Sequence, residues 1–254
     1  AIKDLEDLVE RFPQLAEAQA QLERAYVKSC NLEKARLMAD KLIANHGDSA
    51  LVQNVAGSVY LAAGDFTKAR DHIELASSMD PGLIVPKLNL ARLARLQGDL
   101  GSAEVQYRTV LEKFPFNTKA GLELAELLLN GGQAAEAEER LKKVLETNPN
   151  LFGAHELRIS ALFAANAERS KIEDSVYSLL EKFPEEPRAD IVAGRAFRAF
   201  GAKGNARRHF RRAVEKANFN GALLIAPANQ QFGMGGTRGA SWMLTIAHKA
   251  THAR

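Results

Sequence analysis

Histidine, cysteine and carboxylate side chains are the residues in this sequence from which catalysis or metal binding would first be expected. His248 and His252 lie four residues apart, so on a helix they would share one face and could share a metal ion. A zinc site needs more than two protein ligands, and residues 217–254 contain no Asp, Glu or Cys. We therefore predict no metal site there. No sequence feature marks Cys30 as a nucleophile, and the other histidines show no common register: His46, His72, His155 and His209.

The carboxylates are numerous, but they alternate with basic residues, as on the solvated faces of helices. The segment 136–143 (Glu-Ala-Glu-Glu-Arg-Leu-Lys-Lys) is typical, and its charges are spaced for pairs four residues apart. We predict that the chain is not an enzyme and uses no cofactor. Its 46% apolar content and near-balanced charge, 34 Lys+Arg against 31 Asp+Glu, exclude a disordered chain. No stretch is long and apolar enough to span a membrane.

Arginines are concentrated near the C-terminal end. Residues 187–220 contain nine basic and two acidic side chains, whereas residues 118–151 contain four basic and six acidic ones. Four arginines recur at helical spacing and form a basic stripe: Arg207, Arg208, Arg211 and Arg212. Such a stripe can contact nucleic acid, anionic lipid or an anionic polymer. It lacks the interleaved aromatic residues of a single-strand binder, so a solvated or partner-facing surface is favoured over nucleic acid.

A regular spacing of prolines and glycines indicates the elements that position these residues. Three prolines are evenly spaced, a fourth follows one residue late, and a fifth precedes them at twice the interval: Pro81, Pro115, Pro149, Pro184 and Pro13. Gly64 and Gly98 each lie half an interval before the next of these prolines. Proline cannot continue a helix, and glycine tolerates the turn that follows one. The pattern predicts units of about 34 residues, each a helix, a turn and a second helix.

The small and large residues inside each unit resemble those of the tetratricopeptide repeat family. In the unit 50–83, the residues at positions 8, 11, 20, 27 and 32 are Gly57, Tyr60, Ala69, Ala76 and Pro81. The unit 187–220 has at positions 8, 11, 20, 24 and 27 the residues Gly194, Phe197, Ala206, Phe210 and Ala213. Small residues at positions 8 and 20 allow the two helices to approach closely. The resemblance implies an all-α solenoid of 12 to 13 helices in a right-handed superhelix, with no sheet.

The repeats predict how the chain is organised. Residues 1–220 form a repeat array, with a half repeat at 1–15 followed by five to six units. A one-residue insertion is expected near Leu151–Gly153, and Ile172 stands where a small residue is expected. Residues 221–254 form an atypical Gly-rich tail, interpreted as a capping segment or short helix. Because the chain opens in mid-repeat, we expect a longer array, and a signal peptide or lipid anchor upstream stays open.

The resemblance also implies a concave groove lined by the first helix of each unit. Its predicted partner-binding residues are Arg24, Asn54, Asn89, Arg92, Arg95, Arg158, Arg195 and Arg198. Arginine forks bind carboxylates well, so the expected partner is a protein or peptide with acidic or carboxylate groups. The carboxylate clamp of chaperone-binding relatives is not expected, because two of its five residues match and Glu123 would repel the carboxylate: Asn54, Ser58, Asn89, Lys119 and Glu123.

The function predicted from this reasoning is a non-enzymatic protein-interaction scaffold. The amino-acid sequences of segments 55–65 and 88–93 are similar to those of bacterial tetratricopeptide repeat proteins. These proteins accompany exopolysaccharide assembly and exosortase (PEP-CTERM) sorting systems. The alternative is a regulatory array from a larger protein whose nucleic-acid-binding or catalytic domain is missing here. The full-length gene would distinguish the two. Periplasm, envelope and cytoplasm all stay open as compartments.

Overall fold

The computed structural model describes residues 2–12 and 16–217, and within these ranges all regular secondary structure is helical, with no β-strand. The prediction of an all-α fold is confirmed. The described helices are α1 (Ile2–Arg11), α2 (Ala16–Lys28), α3 (Leu32–His46), α4 (Ala50–Ala62), α5 (Phe66–Met79), α6 (Ile84–Leu96), α7 (Leu100–Lys113), α8 (Thr118–Asn130), α9 (Ala134–Thr147), α10 (Phe152–Ala164), α11 (Arg169–Lys182), α12 (Pro187–Ala199) and α13 (Lys203–Lys216). None of them is long and apolar enough to cross a membrane.

The turns between the two helices of each repeat share one feature: a residue after the first helix takes a positive φ. In three of these turns a polar side chain then caps the second helix. Asp65 and Asp99 accept the backbone N–H three residues later at 3.2 and 3.0 Å. Gly64 and Gly98 supply the positive φ before these caps, whereas Cys30 takes the same conformation with φ 58°. The turn marked by glycine in the sequence therefore recurs, but two repeats make it without glycine, at Cys30 and at Asn166.

Close helix approach occurs where the sequence places glycine at position 8. A Cβ on Gly57 would lie 2.4 Å from Cγ1 of Ile73, on the second helix of the same unit. A Cβ on Gly194 would lie 2.5 Å from the ring of Phe210. Ile73 and Phe210 are both fully buried. Only glycine fits at these two contacts, because heavier side chains would push the paired helices apart.

The one-residue insertion lies elsewhere than predicted. The first helices from α2 to α10 begin at a constant interval, and α8 and α10 have the same length. The turn 165–168 between α10 and α11 has four residues, whereas the equivalent turn 63–65 has three. The expected position near Leu151–Gly153 was therefore wrong. A surface turn accepts the extra residue, which falls after Asn166 (φ 50°), without disturbing either helix.

The chain divides into two compact parts, Ala1–Leu124 and Ala125–Arg254. We call them the N-terminal unit and the C-terminal unit, and each contains several repeats. In the N-terminal unit, Leu22, Tyr26 and Val59 belong to a buried cluster, against which apolar residues of α1 also pack. In the C-terminal unit, a buried cluster draws on α10 to α13 and includes Leu162, Phe197 and Phe210. The predicted tail, with His248 and His252, lies outside the described residues.

Candidate functional site

Two parallel rows of side chains lie on the first helices α4 and α6 of the N-terminal unit. Residues four, three and four apart fall on one side of a helix. The row on α6 contains Val85, Asn89, Arg92 and Leu96, with Val85 47% and Leu96 54% exposed. The row on α4 contains Leu51, Val55, Ser58 and Ala62, with Leu51 60% exposed. We call these eight residues the first-helix face.

Hydrogen bonds between side chains join the two rows. The Asn89 amide Nδ2 donates to Asn54 Oδ1 at 2.9 Å and to Ser58 Oγ at 3.0 Å. Ser58 Oγ in turn donates to the carbonyl of Asn54 at 2.9 Å. Both asparagines are buried, at 6% and 8% exposure. The structure thus brings together two predicted site residues, and their network holds α4 beside α6.

The predicted arginines of the N-terminal unit differ in their surroundings. Arg92 is exposed and forms no hydrogen bond or ion pair with a described residue. Arg95 is half-buried and interacts with Tyr107, whose hydroxyl also donates to Glu123 at 2.5 Å. Burial, followed by this bond to Glu123, raises the pKa of Tyr107. Arg24 lies in α2, but its side chain is outside the described part.

In the C-terminal unit, Arg158 is tied to a neighbouring helix. Its guanidinium lies 2.9 Å from the carboxylate of Glu138 on α9, which is 6% exposed and also pairs with Lys171 and Lys142. Because the insertion follows α10, Arg158 is the seventh residue of α10, one place later in its repeat than an insertion near Leu151–Gly153 would put it. Burial opposes ionisation of Glu138, but the bond from Arg158 and the cations outweigh it and lower its pKa.

The other two predicted arginines of that unit, Arg195 and Arg198, are exposed on α12. Neither forms a hydrogen bond or ion pair with any part of the chain that the structure describes. Arg195 borders a cleft between α10 and α12. These two side chains are therefore available to a ligand, as Arg92 is.

The basic stripe on α13 is not uniform. Arg207, Arg208 and Arg211 are exposed. Arg212 has its Nε 3.7 Å from Oδ1 of Asp190, a carboxylate on α12 with no solvent exposure. All four arginines are exposed, and Arg212 differs from the other three by its contact with this buried carboxylate.

Asp190 is the centre of a cluster of polar side chains. Its Oδ1 lies 2.7 Å from Nδ1 of His209, and its Oδ2 accepts a hydrogen bond from Lys216 at 2.6 Å. Burial alone would raise the pKa of Asp190, but the bonds from His209 and Lys216 outweigh it and lower the pKa. The His209 ring also stacks on Phe197 at 5.3 Å. The cluster fastens α13 to α12.

His72 occupies the same position in its repeat as His209 does. The prediction that the histidines lack a common register was therefore wrong for these two residues. His72 and His209 are each the seventh residue of a second helix. The His72 ring stacks on Tyr60 at 5.3 Å, and its Nδ1 lies 2.7 Å from the Gln53 side-chain oxygen. Both histidines stand at position 23 of their repeats, 50–83 and 187–220, so the repeat spacing was the available signal.

A tyrosine contact also repeats in the N-terminal unit, and sequence reasoning missed it. Tyr26 donates to Glu6 at 2.5 Å, and Tyr60 donates to Asp40 at 2.6 Å. Burial, with the bond to Asp40, raises the pKa of Tyr60 to about 12. Tyr26 and Tyr60 are one repeat apart, as are Glu6 and Asp40, so the repeat spacing was the available signal. These contacts join successive repeats, which is a structural role.

The described residues contain no group of three or more His, Cys, Asp or Glu side chains arranged to hold a metal ion.

Comparisons with known proteins agree with the geometry. Family models described as tetratricopeptide repeat match residues 24–83 and 94–158. Cellulose synthase 1 operon protein C of Komagataeibacter xylinus is 29% identical over 142 residues, a match that covers 56% of this chain. It covers 10% of that protein, so the chain corresponds to a small part of this relative.

Solved structures share the fold at low sequence identity. A tetratricopeptide repeat protein from Parabacteroides merdae superposes with a TM-score of 0.68 at 15% identity, covering 95% of each chain. Pseudomonas aeruginosa pilF superposes with a TM-score of 0.64 at 16% identity, covering 80% of this chain and 92% of its own. Residues 24–83 and 94–158 thus match tetratricopeptide repeats, and the described helices are arranged as in a tetratricopeptide repeat solenoid.

Proposed function

We propose that this protein is a non-enzymatic scaffold that binds an acidic segment of a partner protein along its first helices. The observation that carries the proposal is the first-helix face, where exposed apolar side chains lie beside an exposed arginine without an internal partner. Exposed apolar patches with a polar rim are typical of protein-binding surfaces. Arg195 and Arg198 on α12 extend the same chemistry to the C-terminal unit.

The contributions to binding differ in size. Leu51, Val85 and Leu96 are about half exposed, so covering them would contribute up to roughly 1 kcal/mol each. An exposed Arg–carboxylate contact at Arg92 would contribute about 0.2–1 kcal/mol. Apolar contacts therefore supply most of the affinity, and the arginine supplies preference for acidic residues.

The cellular setting is the finer part of the proposal. The name of the Komagataeibacter relative assigns it to a cellulose synthase operon. We therefore favour a partner in bacterial exopolysaccharide assembly, within the envelope. We include in this proposal a role like that of the exosortase-associated repeat proteins, to which segments 55–65 and 88–93 are similar.

Selection from a displayed peptide library tests the proposal. The wild-type protein should enrich peptides that combine Asp or Glu with apolar residues. Arg92→Glu should weaken the selected peptides several-fold, because it places a negative charge where a positive one attracted them. Arg208→Glu is the matched control, since Arg208 is also exposed but lies on a second helix. Peptides without acidic enrichment, or equal binding by the Arg92→Glu variant, would refute the proposal.

A further inference from the structure

A cleft opens between the first helices α10 and α12 of the C-terminal unit, with a volume of about 160 Å³. Apolar side chains line it: Ile159, Phe163, Val192 and Ala196. An apolar cavity of about 150 Å³ in another protein holds a benzene molecule. The cleft is therefore large enough for a phenyl ring or a leucine side chain.

The charges at the rim of the cleft are unequal. Glu156 and Arg195 both border it. The carboxylate of Glu156 is neutralised by Arg188, whose guanidinium lies 2.8 Å away and stacks over Phe152 at 4.4 Å. Arg195 has no such partner among the described residues. The rim therefore carries one uncompensated positive charge, beside the exposed cations of α12 and α13.

We propose that this cleft binds one bulky apolar side chain, of the size of Phe or Leu, from an acidic partner segment. A carboxylate next to that side chain pairs with Arg195. This inference rests on the proposed scaffold function and specifies the partner motif for its C-terminal unit. The apolar cleft selects the bulky side chain, and the arginine selects the neighbouring acid.

The test uses fluorescence anisotropy with the full chain and three labelled peptides. The probe is a short peptide of Asp and Glu residues with a single Phe at its centre. One control peptide replaces Phe with Ala, and the other replaces every acid with the corresponding amide. The wild-type protein should bind the probe about tenfold more tightly than the Ala peptide, because the ring loses its water contacts in the cleft.

Two variants test whether the probe binds in the cleft. Ala199 lines the cleft and is exposed, so Ala199→Leu should fill the cleft without disturbing the core. It should abolish the preference for Phe over Ala. Arg195→Ala should weaken binding of the acidic probe about two- to fivefold and leave binding of the amide peptide unchanged. Arg208→Ala, which removes another exposed charge from α13, should leave both preferences intact.

The outcomes separate this inference from the scaffold function. If the wild type does not distinguish Phe from Ala, or the Ala199→Leu variant binds the probe as the wild type does, the cleft is not the site. If the library peptides still depend on Arg92 in that case, the scaffold function stands without the cleft. If neither the probe nor the library peptides bind, both proposals fail. A melting temperature for each variant shows whether it is folded.

Discussion

Replacing Gly57 by alanine tests the close approach of the paired helices. The added Cβ would lie 2.4 Å from Cγ1 of Ile73, 3.1 Å from the Ala69 carbonyl oxygen and 3.2 Å from the Ile73 nitrogen. Carbon atoms in ordinary contact are about 3.5–4.0 Å apart, so roughly 1 Å of movement is needed. The Ile73 side chain is fully buried, and the two backbone atoms prevent α5 from yielding by a rotamer change alone.

The expected magnitude follows from two opposing effects. Overpacking of a well-filled core destabilises by about 1–3 kcal/mol, and the contact distances favour the upper half of that range. Alanine regains up to about 1 kcal/mol in helix propensity over glycine. The Gly57→Ala variant should therefore lose about 1–2 kcal/mol of unfolding free energy. Its melting temperature should fall by roughly 2–8 °C.

Thermal and urea unfolding followed by far-UV circular dichroism measure this loss. Gly101→Ala is the control in the same N-terminal unit, because the nearest atom to its added Cβ is Asp99 Oδ1 at 3.8 Å, an ordinary contact. That variant should be as stable as wild type or slightly more stable. If Gly57→Ala matches Gly101→Ala, the helices do not approach as described, and the packing argument is wrong.

Two further substitutions test the Asp190 cluster and the glycine-free turn. Asp190→Asn should lower the free energy of unfolding at neutral pH by up to about 3 kcal/mol, because Lys216 and His209 lose a buried anion. The folded-state pKa of Asp190 lies below its ordinary 3.8, so this stabilisation is present above about pH 4 and is lost as the pH falls through the lowered pKa. Urea unfolding at neutral and acidic pH should show the wild-type advantage shrinking in acid, and a constant difference would contradict this. Cys30→Gly should increase the free energy of unfolding by up to about 1 kcal/mol, because a non-glycine residue at φ 58° is strained. The melting temperature should rise accordingly. A lower melting temperature would show that the turn is not strained at this residue.

Much of the fold could be predicted because the backbone conformation and the helix contacts of each repeat require particular residue types. Gly64 and Gly98 occupy positions with positive φ, and Gly57 and Gly194 occupy helix contacts that exclude a Cβ. These requirements are local, so they recur in the sequence with the period of the repeat. The position of the insertion was not predictable in this way, because a surface turn places little demand on residue type.

The candidate site was only partly predictable for a related reason. The position of a residue in its repeat indicates which side chains share a face. On this basis Asn54 and Asn89 were both assigned to the first helices, where the structure joins them by a hydrogen bond. It does not indicate which cations already have partners on neighbouring helices. Arg158 and Arg212 are held by Glu138 and Asp190, contacts that become visible only when the helices are packed together.

The most direct test of the central proposal is a crosslinking map of the N-terminal unit with a peptide selected from the library. A photoreactive phenylalanine analogue replaces Leu51 or Val85 on the first helices, or Leu75 or Val105 on the second helices. All four side chains are 45–60% exposed, so accessibility is matched. The proposal predicts crosslinks from positions 51 and 85 and little from 75 and 105. Crosslinks concentrated at 75 and 105 would contradict binding along the first helices.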